Sequence, residues 1–390
     1  MAQANLPSYD GRMPNTATLA PGNLTDHTTL ADLATPCLVI DAAVVERNIA
    51  RMAEHARTHG LALRPHIKTH KSKKVAGMQI AGGALGLTCA KVGEAQVMSE
   101  VTNDILLAYP AVDPPRTHGV AMLAHHCEIK VAIDSDYAAD RLTEAAAKAG
   151  SHIGILVDID VGFGRTGLQT AEQALTLARH IDGSKSLRLE GLFCYFGHIT
   201  GASDRQIELL KQAAEKIATT LDLFQKGGLN TGIVSSGSTP TAQHCHHVSQ
   251  LTEIRPGTYI YNDLNVVRGG YCQLEDCAAK FICTVVSNAV PDQVVIDAGG
   301  KTLTYDTYHP DPNSGHGYVV EYPNAKITRL TEEHGQVDLS RCDRRPKIGE
   351  RITVIPNHIC PCVNLQDGIW WFEAGQAPCR IPVDARGMRS

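Results

Sequence analysis

Three things are missing from this sequence: an excess of basic residues, a long apolar run, and the basic-then-apolar start of a secretory leader. Lysine and arginine number 36 against 41 aspartate and glutamate, a net charge of −5. Nucleic-acid backbones and anionic lipid surfaces are bound by basic fields, so the expected partners include no nucleic acid and no membrane. No apolar stretch approaches the roughly 18 residues of a membrane-spanning helix. The opening MAQANLPSYDGRMPNTATLAPGNLTDHTT reads as a polar arm over residues 1–34, and a cytoplasmic location is the expectation. Aromatic residues make up only 5% of the chain, but 43% is hydrophobic. At roughly 150 residues per domain this gives two or three domains with ample core.

A disulfide framework is excluded as well. The 12 cysteines are scattered along a long chain with no leader, which is not the pattern of a small secreted scaffold. Several lie in strand-like apolar runs, such as Cys89, Cys194 and Cys283, where a thiol packs as a small hydrophobe. Reduced cysteines are expected, with one or two open as metal ligands. Solenoid repeats and low-complexity tracts are also absent.

What is present is an alternation. Strand-like runs at Ala62–Ile67, Leu85–Ala90, Asp104–Tyr109, Glu128–Asp134, His152–Asp158, Leu189–Tyr195, Gly232–Ser236 and Leu251–Ile254 alternate with helical stretches. Four of these helices, Ala43–His59, Asp136–Ala149, Ala171–Ile181 and Ser203–Phe224, repeat apolar residues at three-to-four spacing. Eight such units predict a parallel (β/α)8 TIM-like barrel over residues 35–265. After residue 265 short alternating strands with turn residues predict a mostly β C-terminal domain over 266–390.

In such a barrel, function sits just past the strand ends. The first run leads to Lys68, and the last two lead to Ser236-Gly237-Ser238-Thr239 and Arg255-Pro256-Gly257-Thr258-Tyr259. One Gly-Ser-Thr-Pro stretch is an ordinary turn. Two such turns after strands 7 and 8 match the usual phosphate cradle of these barrels. With a lysine after strand 1 they suggest pyridoxal phosphate, the lysine binding it covalently. Taken alone, Arg64-Pro65-His66-Ile67-Lys68-Thr69-His70-Lys71 reads as a solvated basic loop or a carboxylate-binding patch.

That segment resembles the Schiff-base segment of the D-serine dehydratase and D-threonine aldolase family, pyridoxal-phosphate enzymes of the alanine-racemase fold type (fold type III). Four further stretches agree in order: Asp160–Gly167, Ser236–Thr241, Glu253–Tyr259 and Pro356–Cys360. The likeness covers about residues 35–385. It implies that Lys68 holds the cofactor and moves the α-proton, with Arg165 near the phenolate oxygen and Tyr195 against the ring. It also implies that Ser236, Gly237, Ser238, Gly257, Thr258 and Tyr259 bind the phosphate. Arg255 would face the pyridine nitrogen and keep it unprotonated, which weakens the cofactor's electron sink and leaves work for a metal. His358 and Cys360 would hold that metal: zinc first, with manganese or magnesium as alternatives. Alternation along a strand would set both on one face; outside this likeness, a bare His-x-Cys reads as a hydrogen-bonded histidine and a buried cysteine. The resemblance further implies a homodimer with sites between subunits.

His244-Cys245-His246-His247 and His125-His126-Cys127 have no counterpart in that pattern and read as non-ligands, while His334 is a candidate neighbour of the site. Cys362 is set aside because Pro361 interrupts the alternation. The reaction reads first as dehydration of a D-β-hydroxy amino acid to a keto acid and ammonia. The alternative is retro-aldol cleavage to glycine and an aldehyde, suggested by the aldolase-like Cys360-Pro361-Cys362-Val363-Asn364-Leu365 tail. A racemase using Tyr305 or Tyr318, and a non-catalytic cofactor carrier, are weaker readings, since neither explains both the β domain and the metal pair.

Overall fold

The computed structural model describes residues 29–388, so the polar arm expected over 1–34 lies outside the described residues as far as position 28. Strand β1 (Cys37–Asp41) runs straight into α1 (Ala42–Thr58), because the Asp41 carboxylate accepts from the Val44 N–H and caps the helix. The alternating units follow as β2 (Ala62–Leu63), α2 (Lys73–Ala81), β3 (Leu87–Cys89), α3 (Val92–Met98), β4 (Asp104–Leu107), α4 (Pro114–Leu123) and β5 (Glu128–Ile133). They continue as α5 (Asp136–Ala149), β6 (Ile153–Asp158), α6 (Ala171–Asp182), β7 (Leu187–Phe193), α7 (Ser203–Lys226), β8 (Ile233–Ser236) and β9 (Glu253–Ile254).

These eight strands, β2 to β9, are all parallel, in the order β2-β9-β8-β7-β6-β5-β4-β3. A parallel bridge between His66 and Thr88 joins the two ends of the sheet and closes it. Inside, Leu106, Ala132, Leu156 and Phe193 from successive strands form one layer. The small members of that side, Ala108 and Ala132, leave space above the layer that larger residues would fill.

The short helix α8 (Leu264–Arg268) leads into the second sheet. Its elements are β10 (Ala279–Ser287), β11 (Gln293–Ile296), α9 (Gly300–Leu303), β12 (Tyr318–Val319), β13 (Lys326–Leu330), β14 (Gly335–Asp338), β15 (Arg351–Ile355), α10 (Ile359–Asn364), β16 (Gly368–Phe372) and β17 (Cys379–Pro382). The domain is mostly β, as expected. Its sheet has nine strands because it recruits β1, which lies within the stretch expected as barrel. β1 pairs antiparallel with β10 and parallel with β16. The reason is visible in its residues: Leu38 and Ile40 bury one face, while Cys37 and Val39 pack the other against Leu33 and Trp370. A strand apolar on both faces needs cover on both.

Candidate active site

A cavity of about 590 Å³ opens at the C-terminal ends of the barrel strands. Of the residues expected from the sequence, Lys68, Arg165, Tyr195, Gly237, Ser238, Arg255, Gly257 and Thr258 line it. Ser236 and Tyr259 do not line it. Ser236 is the last residue of β8 and fully buried, and the buried Tyr259 hydroxyl accepts from Gln79 Nε2 at 3.0 Å. Tyr259 contributes through its backbone, whose N–H donates to Thr239 Oγ1 and fixes that hydroxyl at the cavity wall.

Lys68 sits in a 3-10 turn, Ile67–Thr69, between the buried side chains of Ile67 and Thr69. The turn projects the lysine while anchoring both sides of it. The basic segment around it is not a solvated loop. Arg64 is only 1% exposed and forms ion pairs with Glu253 at 2.9 Å and Asp104 at 2.7 Å. His70 bonds Gln79, and Lys71 pairs with Glu94. His66 lines the cavity, where burial and then the charges of Lys68 and Arg255 hold its pKa well below the usual imidazole value.

Arg255 is held from beneath by a chain of polar contacts. Its Nη1 donates to Ser235 Oγ at 2.6 Å and its Nη2 to the Cys194 carbonyl at 2.7 Å, with the Phe193 ring 3.9 Å below. Ser235 Oγ donates to Glu253, which also takes Arg64; Arg64 and Lys130 share Asp104. Burial lowers the Arg255 pKa to about 10, so the guanidinium stays charged at neutral pH. Arg165 lies over the Tyr195 ring, 4.6 Å from its centre.

Across the cavity, Asp158 ends β6. Burial raises its pKa; the Thr166 hydroxyl bond opposes this, Asp134 adds to it, and the result is about 7. The sequence places Asp158 at the end of the fifth run but assigns it no role, because a single Asp at a strand end carries no signature of its burial. His66, Tyr109 and Thr166 are also cavity residues beyond those expected, and Thr239 lines it as part of its expected turn.

Two glycines shape the cavity wall formed by the loops after β8 and β9. Gly237 has φ +93, and a Cβ there would stand 3.2 Å from Cys245 Sγ. At Gly257 a Cβ would meet the His66 carbonyl at 3.1 Å. Ser238, Thr239 and Thr258 add hydroxyls to the same wall.

The His-x-Cys pair does not lie on a strand, contrary to the sequence expectation. His358 caps α10 and Cys360 occupies its first turn. Pro361 is accommodated there because first-turn N–H groups have no partner within the helix. Asp263 shapes this turn: one carboxylate oxygen accepts from Val266 N–H and the other from Ile359 N–H. The fully buried Asn357 side chain donates to the Asp306 and Gly315 carbonyls. Burial pulls the His358 pKa down, but Cys360, Asp263 and Asp306 outweigh it and raise it to about 9. Burial raises the Cys360 pKa, yet His358 and then Lys68 bring it below the usual thiol value. Cys360 Sγ lies 3.2 Å from Thr69 Oγ1 and 3.8 Å from the cavity residue Thr258. Cys362 is fully buried and bonds the Leu303 carbonyl.

These residues fit pyridoxal phosphate. One lysine projects at the cavity, glycines admit close backbone approach, hydroxyls cluster on one wall, and a carboxylate-free arginine contact faces in from below. One imidazole and one acidified thiol, adjacent to that cavity, also suit a borderline divalent ion. His334 lies exposed between β13 and β14 and is not among the residues that line the cavity. Among the described residues no helix is long and apolar enough to cross a membrane, and all twelve cysteines are free of disulfides.

Comparison with known proteins follows the two-part architecture. Residues 40–265 match the alanine racemase N-terminal domain, and residues 278–371 the putative serine dehydratase domain. The chain is 30% identical over 369 residues to a D-threonine aldolase of Arthrobacter sp, covering 92% of this chain and 94% of that one. It is 31% identical over 361 residues to a D-threo-3-hydroxyaspartate dehydratase of Delftia sp. (strain HT23), covering 85% and 92%. Two solved variants named as this dehydratase superpose on 91% of the chain. One lacks a histidine (TM-score 0.84, 27% identity, 96% of that chain). The other lacks a cysteine two positions further on and is described as the metal-free form (TM-score 0.83, 28% identity, 98% of that chain).

Proposed function

The chain belongs to the D-serine dehydratase and D-threonine aldolase family of lyases, with the alanine-racemase-like barrel, and from that premise we propose a pyridoxal-phosphate- and metal-dependent dehydratase of D-β-hydroxy amino acids. The observation that carries the reading is the meeting of Lys68 with the His358–Cys360 pair across Thr69 and Thr258. When bound, the cofactor supplies an electron sink for the α-carbon and the metal a Lewis acid for the β-oxygen.

Lys68 would hold the cofactor and take the α-proton at Nζ. Gly237, Ser238, Gly257 and Thr258 would seat its phosphate, with Thr239 beside them and Ser236 and Tyr259 supporting from behind. Tyr195 would pack the ring, Arg165 would sit by the phenolate oxygen, and Arg255 would face the ring nitrogen. Arg255 is a donor, so it cannot leave a proton on that nitrogen. His358 and Cys360 would hold the metal, and the thiolate favours zinc over manganese or magnesium. Elimination of the α-proton and β-hydroxyl leaves an enamine, which hydrolyses to a keto acid and ammonia. That the relative named a dehydratase has a solved metal-free form lacking a cysteine, two positions past the histidine removed in its sister variant, supports the ligand reading. Homodimeric assembly and a cytoplasmic location belong to the same proposal.

A second reading, cleavage of the Cα–Cβ bond to glycine and an aldehyde, is favoured by the likeness to a D-threonine aldolase over 92% of the chain. Purified protein supplied with D-serine should release ammonia, stop after EDTA treatment and recover with zinc. Ammonia release indifferent to EDTA overturns the metal role.

A further inference from the structure

A second cluster of donors lies outside the cavity, at the far end of α1. His55 lies in the last turn of that helix and His59 is its C-cap residue, four positions on, with the two ring centres 4.6 Å apart. His246 joins them from the 3-10 turn Ala242–His247, which follows the phosphate-facing loop after β8. One ring nitrogen from each of the three lies within 4.8 Å of the others. No carboxylate or thiol takes part.

Two details give the cluster the character of a ligand set. His55 Nε2 is 3.0 Å from the Ala242 carbonyl. Donation to that oxygen fixes the ring's tautomer and leaves Nδ1 with a free lone pair, the arrangement common to metal-bound histidines. His246 Nδ1 is buried with no hydrogen-bond partner among the described residues, and a buried polar atom left unpaired is costly. The His246 ring stacks on that of His59, centres 3.8 Å apart. Zinc–nitrogen bonds of about 2.0–2.1 Å place tetrahedral donors roughly 3.4 Å apart. Closure from within 4.8 Å therefore requires His59 to swing out of the stack, because near-parallel rings cannot both aim in-plane lone pairs at one ion; His59 is exposed at the end of α1 and free to do so.

We propose that His55, His59 and His246 form a second metal site, separate from His358–Cys360, that takes a borderline divalent transition ion such as zinc, nickel or cobalt. Three neutral imidazoles suit these ions and not calcium or magnesium, which need oxygen donors. Occupancy ties the end of α1 to the turn after the phosphate-facing loop. The contacts already run that way: Thr241 Oγ1 accepts from Ser238 N–H, and Cys245 underlies Gly237. The sequence alone reads His244–His247 as non-ligands because the family pattern has no counterpart there, and the partners of His246, nearly 190 residues earlier in the chain, leave no local sign.

The test uses the full-length, cofactor-loaded protein stripped of metal and titrated with zinc against a chromophoric chelator, then with cobalt. Wild type should take up two equivalents. His358→Ala/Cys360→Ala should retain one, and its cobalt form should lack the thiolate charge-transfer band. His59→Gln, at an exposed position, should bind the second equivalent at least ten-fold more weakly while keeping its cofactor absorbance and the thiolate–cobalt band. His246→Gln should behave alike. Zinc stoichiometry and affinity unchanged in His59→Gln, or no zinc retained by His358→Ala/Cys360→Ala, would overturn the site. Either result is independent of which reaction the enzyme catalyses.

Discussion

Lys68 and Asp158 face one cavity but answer to different physics. In the proposed role of holding the cofactor and transferring a proton, Lys68 has no substitute among the cavity residues. Lys68→Ala should therefore abolish the visible absorbance of bound cofactor and lower kcat by about 10³-fold or more; absorbance unchanged after gel filtration would refute the assignment. Asp158 makes a prediction about pH. Its folded pKa is about 7, well above the roughly 3.9 of a free carboxyl. The folded state therefore binds the proton more tightly, and stability from this group is lost as pH rises toward 7. In cofactor-free protein the Tm of Asp158→Asn minus that of wild type should grow between pH 5 and 8, by a few degrees; a flat difference contradicts the raised pKa. Lys68 was legible in the sequence because its motif surrounds it. Asp158 was not, since its burial and its Thr166 contact are products of the fold.

At the level of elements, the loops after β8 and β9 reach the cavity wall, where their composition suggested a phosphate cradle. Gly237 has φ +93 and a thiol beneath it. A side chain in that backbone region costs about 1–2 kcal/mol, so Gly237→Ala should weaken cofactor affinity about ten-fold with the far-UV spectrum unchanged. Equilibrium dialysis of apoprotein measures this directly; undiminished affinity would remove the glycine from the cradle. The Gly/Ser/Thr clusters marked the loops correctly, but which of their side chains turn inward depends on backbone paths that residue type does not encode. Ser236 and Tyr259 illustrate the gap, both being buried behind the wall they were expected to form. The proposed metal pair shows the converse. His358 and Cys360 were singled out by resemblance to the family, since a bare His-x-Cys reads otherwise, while their support on α10 depends on Asp263, distant in sequence and invisible without the fold.

Across the whole molecule, eight parallel strands were predictable from alternation and Gly/Pro punctuation, each observed strand overlapping its expected run. The membership of β1 in the C-terminal sheet was not, because pairing partners some 240 and 330 residues away leave no local trace. Charge is also organised at this scale. Arg64, Asp104, Lys130, Glu253 and Ser235 form one buried network beneath Arg255. Removing one partner strands a buried charge, so Glu253→Ala should cost about 3–5 kcal/mol in chemical denaturation; a loss below 1 kcal/mol would mean that the network does not anchor the barrel interior. The central claim concerns chemistry, and D-threonine tests it most directly. Products should be quantified after incubation of zinc-loaded enzyme with D-threonine. The expected products are 2-oxobutanoate and ammonia in equal amounts, with glycine and acetaldehyde absent; glycine and acetaldehyde as the main products would contradict a dehydratase.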